Sequence, residues 1–146
     1  MQSAYSGNAT DNYLIQRINA AGPERLVAML LEGGQRFLGQ AMVAMNNRDV
    51  PTKARMINRV SAIIEELAVR LDHEHPSELV VNLARLYDWW LNEVFQGSQN
   101  NQVQRLETVY RQMGDLRQTW EQLAQQKASE VGIPASSSLG AGGIVG

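Results

Sequence analysis

The chain has no cysteine among its 146 residues, which excludes disulfides, thiolate nucleophiles and cysteine-ligated zinc. It has only two histidines, both in the tripeptide His73-Glu74-His75. On a helix those rings would stand about 200° apart, too far round to share a metal unless the helix has unwound. They read instead as a solvated helix end, where an imidazolium is favourable beside the C-terminal dipole. The Glu-x-x-His pairs of a di-iron bundle are missing, as are the G-x-x-x-x-G-K-[ST] phosphate loop and the G-x-S-x-G elbow. The expectation is no metal, no cofactor and no enzymatic activity.

A strong excess of either charge is also missing. Thirteen Lys and Arg face fifteen Asp and Glu, a net charge of −2, and the basic residues are scattered. That argues against a nucleic-acid partner. No apolar run approaches the roughly 18 residues of a membrane span. The opening MQSAYSGN lacks the basic and apolar regions of a secretory signal, so the expected address is cytoplasmic.

What is present is helical periodicity. The stretch NLARLYDWWLNEV (residues 82–94) holds two of the three tryptophans. At about 100° per residue, Leu83, Leu86, Tyr87, Trp90, Leu91 and Val94 share one side, and Trp89 falls outside it. Gly22-Pro23-Glu24 announces an earlier helix, because proline at the first position forfeits no hydrogen bond and the carboxylate suits the dipole. Its stripe is Leu26, Leu30, Phe37, Ala41 and Met45, broadened by Val27, Leu31, Leu38 and Met42. Gly33-Gly34 inside it point to a close neighbour. Pro51 restarts the chain as a helix with stripe Ile57, Val60, Ile64, Leu67 and Leu71, and with Met56 and Ile63 on a shoulder. Ser77 is the expected N-cap of the helix that carries both tryptophans, which is expected to stop near Gly97. Leu106, Val109, Met113, Leu116, Trp120 and Leu123 then form a coiled-coil seam, widened by Tyr110.

Four long helices joined by short turns predict an all-α fold, an antiparallel up-down four-helix bundle over residues 23–128. Residues 1–22 are expected to be a flexible arm with a short helical docking segment at Tyr13, Leu14, Ile15 and Ile18. Residues 129–146 are rich in Gly, Ser and Ala and are expected to be a disordered tail. The apolar sectors of the first and third helices are wider than a bundle core needs. They predict either a slightly larger core or an external hydrophobic groove for a partner's helix.

Several motifs in order carry a family resemblance. They are Ala4-Tyr5; Ala21-Gly22-Pro23-Glu24-Arg25-Leu26 followed by Met29-Leu30 and Glu32-Gly33; Ile63-Ile64-Glu65-Glu66-Leu67 with Leu71-Asp72; Leu83-x-x-Leu86-Tyr87-Asp88-Trp89; and Arg117-x-Thr119-Trp120. Across roughly residues 4–122 the chain resembles the flagellin-specific export chaperones, the FliS family. It departs from that pattern in having Gly22 for a Ser or Thr before the proline, and Gly34 for a larger small residue. The resemblance implies a cytoplasmic, non-enzymatic, cofactor-free bundle that binds the disordered C-terminal segment of flagellin. Binding would prevent premature polymerisation and deliver the subunit to the flagellar type III export gate.

On that reading Met56, Ile63, Tyr87 and Trp89 line or border the groove. Tyr13, Leu14, Ile15 and Ile18 plug it, and Tyr5 gates it or touches cargo. The rival expectation is a structural bundle that self-associates, as a homodimer for example, through the same apolar faces.

Overall fold

The computed structural model describes residues 22–130. Four α-helices and no strand occur among them: α1 (Pro23–Asn46), α2 (Val50–Val69), α3 (Glu78–Gln99) and α4 (Val103–Glu130). The expected segment at residues 13–18 and the tail from residue 131 lie outside the described residues.

Local chemistry sets each boundary. Proline opens α1 with Glu24 in its first turn. The Asp49 carboxylate accepts from the Thr52 amide at 3.2 Å and caps α2. The Ser77 hydroxyl accepts from the Val80 amide at 3.1 Å and caps α3, as its position before the helix predicts. Two helices end alike. The Asp49 amide reaches back to the Ala44 carbonyl and the Gln102 amide to that of Gly97. The intervening Arg48 and Asn101 take φ of 57° and 51°. These are left-handed C-terminal closures built without glycine. After α2, the His73 Nε2 lies 2.9 Å from the Ala68 carbonyl, so a donating ring caps that helix end.

The chain divides into two compact units. Residues 29–118 hold the larger core, and their side-chain contacts fix the packing. Gly33 faces Ile63 and Phe37 lies under Arg59, pairing α1 with α2. Lys53 Nζ donates to the Ser98 carbonyl at 3.0 Å, pairing α2 with α3. Trp90 reaches Gln112 and Gly97 meets Leu106, pairing α3 with α4. Gly34 against Met113 joins α1 to α4. Where two contacts mark a pair, one residue number rises as the other falls, which is the antiparallel up-down bundle.

The buried stripes differ from the expected ones by about one residue. In α2, Met56, Val60, Ile64 and Leu67 are buried and Ile57 is half-buried. Met56 therefore belongs to the core stripe and Ile57 to its shoulder, the reverse of the expectation. In α1, Leu31, Leu38 and Ala41 are fully buried, whereas Leu30, Phe37 and Met45 are half-buried. The seam of α4 buries Leu106, Val109 and Met113 completely. Tyr110, expected to widen it, is 41% exposed. In the smaller unit Val27, Ala28 and Ala124 are buried, and Lys127 Nζ lies 3.5 Å from the Glu24 carboxylate.

Candidate functional site

Helix α3 runs through the core of the larger unit and shows apolar groups on both of its flanks. Leu83, Tyr87, Trp90, Val94 and Gly97 are buried and define its inner face. The Trp90 indole N–H donates to Gln112 Oε1 at 2.8 Å, and the Tyr87 ring lies 5.5 Å from that of Trp90, tilted by 45°. Burial pushes the Tyr87 phenol up to about 12, because phenolate would be stripped of water there.

One flank turns toward α4. Trp89, 42% exposed, shares it with half-buried Leu86 and Glu93. Glu93 accepts from Arg105 Nη1 at 3.2 Å. Half-buried Leu116 lies on the facing flank of α4. The other flank turns toward α2. Val81 and Phe95 are 40% and 55% exposed there, with half-buried Ala84 and Leu91 between them. Ile57 and Ser61, both half-buried, lie on the facing flank of α2. Both strips run roughly parallel to α3, the shape a partner's amphipathic helix requires.

The structure separates the side chains expected to line a groove. Trp89 is at the surface. Ile63 is half-buried, with its Cδ1 3.2 Å from where a Cβ on Gly33 would stand. Met56 and Tyr87 are 8% and 2% exposed. Both sit in the core of this structure, because the contact face of each helix is rotated toward them. Tyr5, Tyr13, Leu14, Ile15 and Ile18 lie outside the described residues. Phe95 and Val81 were not singled out from sequence, although their wheel positions, about 240° and 280° round from Trp89, signal a second apolar flank. Among the described residues no group of three or more metal-ligand side chains is assembled. No helix among them is long and apolar enough to cross a membrane.

The model of one protein family, described as "Flagellar protein FliS", matches residues 6–127. The chain belongs to the FliS family. Its relatives include the flagellar secretion chaperone FliS of Vibrio cholerae, 30% identical over 121 residues, which are 80% of this chain and 89% of that protein. The flagellar secretion chaperone FliSB of Pseudomonas aeruginosa is 30% identical over 105 residues, 72% of this chain and 83% of its own length. The FliS of Bacillus subtilis is 27% identical over 118 residues, 81% and 87% of the two chains. The FliS match takes in all of α1, α2 and α3 and most of α4. The role of the FliS family is thus that of a flagellar secretion chaperone.

Proposed function

We propose that this chain binds the disordered C-terminal segment of flagellin along the two apolar flanks of α3, holding it in the cytoplasm until it is passed to the type III export machinery. The observation that carries this reading is that α3, the most deeply buried tryptophan helix of a FliS-family chain, leaves Trp89, Phe95 and Val81 toward solvent. An amphipathic segment that would otherwise bury its apolar face in a flagellin–flagellin contact gains the same burial here. The cost of ordering it, about 2–5 kcal/mol for coupled folding, keeps the complex releasable.

Trp89, Phe95 and Leu91 are the contact residues of this reading, with Ile57 and Leu116 across the two seams. Tyr87 supports the strips from beneath, and Met56 and Ile63 act through the core, Ile63 from its contact with Gly33 of α1. Tyr13, Leu14, Ile15 and Ile18 act as a displaceable plug, and Tyr5 touches cargo. Export-gate contact belongs to the loaded complex.

The test is titration calorimetry against flagellin with and without its last forty residues or so, a length set only approximately by groove binding. Binding to the whole subunit and not to the truncated one supports the reading. Binding that survives the truncation overturns it. A stable oligomer in sedimentation that ignores flagellin would favour self-association instead.

A further inference from the structure

The outer face shared by α1 and α2 carries a charge pattern that flagellin binding does not use. Arg36 of α1 and Arg55 and Arg59 of α2 are all exposed. The guanidinium carbons of Arg36 and Arg59 lie 5.6 and 5.5 Å from the centroid of one ring, that of Phe37. The ring's negative faces hold the two cations, and among the described residues neither has a carboxylate within ion-pair distance. Arg55 likewise forms no ion pair within 4.0 Å among the described residues, although the Asp49 carboxylate acts on it through space. Arg55 donates only to the Thr52 hydroxyl, at 3.2 Å. On a chain of net charge −2 this is a local reversal of sign.

Beside the arginines opens a cleft of about 530 Å³, walled by Arg36, Gly39, Gln40, Val43, Ala44 and Thr52. Val43, a branched apolar side chain, is 61% exposed. Asp49 also borders the cleft, but its carboxylate is held by the Thr52 amide as the cap of α2.

We propose that this face docks an acidic amphipathic helix of a second protein. Charge complementarity selects the occupant. Arg55 and Arg59 stand one helical turn apart, so carboxylates one turn apart on the incoming helix meet them in register. An apolar side chain on the same helix seats against Val43 and Ala44. The flagellin strips use the opposite flank of α2, where Ile57 and Ser61 lie, so both partners can be held at once. The site therefore goes beyond the flagellin reading and does not depend on it.

The experiment uses the full chain and a labelled synthetic helical peptide with glutamates one turn apart and a leucine stripe. Its glutamine counterpart is the control, and the flagellin C-terminal segment is titrated in parallel. The acidic peptide should bind, weaken with added salt, and lose about tenfold in affinity to the double variant R36E/R59E. Val43→Asp, which keeps all three arginines, should also weaken it, while flagellin affinity stays the same in both variants. Equal binding of the glutamine peptide overturns the proposal, as does undiminished binding to folded R36E/R59E. Phosphatidylserine vesicles that bind where the peptide does not would make the patch a membrane contact and overturn it too. Loss of flagellin binding with peptide binding intact would count against the flagellin reading alone.

Discussion

Trp90 is tied to Gln112 by a 2.8 Å hydrogen bond from the indole N–H, and its own ring is completely buried. Trp89, the residue before it, is 42% exposed, since consecutive helical residues point about 100° apart. The pair should therefore separate folding from binding. Trp90→Ala should cost about 3–5 kcal/mol, the usual range for a buried aromatic, and lower the melting temperature accordingly. Trp89→Ala should cost under about 1 kcal/mol, leave helical circular dichroism intact, and weaken flagellin binding in calorimetry. A collapse of stability in Trp89→Ala would remove that residue from the binding surface.

Two glycines should respond to alanine with opposite signs. A Cβ on Gly97 would stand 2.5 Å from Leu106 Cδ1 and 3.1 Å from the Gln102 carbonyl oxygen. The backbone oxygen cannot swing aside, so Gly97→Ala should destabilise by about 1–3 kcal/mol. A Cβ on Gly39 meets nothing within 4 Å, and Gly39→Ala should stabilise by about 0.5–1 kcal/mol through helix propensity. Urea midpoints read both, and a higher midpoint for Gly97→Ala would refute the packing described there.

The two left-handed turn residues make a graded pair. Arg48 carries a Cβ at φ 57° and Asn101 at φ 51°. Asparagine tolerates that region better than arginine does. Arg48→Gly is expected to raise stability by up to about 1 kcal/mol and Asn101→Gly by less. Thermal melts that showed the larger gain at Asn101 would contradict this.

Tyr87 sets an alkaline limit. Its pKa rises from an ordinary 10.0 to about 12 on burial. A folded-state pKa above the unfolded one means that the contribution is complete below pH 10 and is lost as pH climbs through 12. By linkage that loss approaches about 2–3 kcal/mol. Tyr87→Phe should flatten stability over this window in denaturant titrations at stepped pH. An unchanged slope would assign the alkaline loss to other groups.

Much of this fold was legible in the sequence because its signals are local. Ser77 and Pro51 mark helix starts by chemistry that needs no tertiary partner, and Gly33-Gly34 announced the close approach that Ile63 and Met113 make. The misjudgements came where packing decides. Met56 and Ile57 stand about 100° apart, on either side of the Val60–Ile64 line, and only the direction of α1 and α3 selects which one is buried. Helix α3 stops near Gly97 as expected, at Gln99, but the glycine's contact with Leu106 was not legible. Arg48 and Asn101 hide their turns, since neither is the glycine usual at such a site. At the candidate site, Trp89 stood out as an oddity of pattern. Phe95 escaped notice because a lone aromatic three residues after a polar Asn92 resembles an ordinary surface residue.

The adjacency of Trp89 and Trp90 also gives the protein two light emitters in contrasting surroundings. The solvated indole emits at longer wavelength and is open to a soluble quencher, whereas the buried one is shielded. Loading of the α3 surface will shift and protect only the first, and unfolding will move both. With the third indole removed as Trp120→Phe, a single unlabelled emission spectrum can thus tell an empty chaperone from an occupied one, and either from a denatured one.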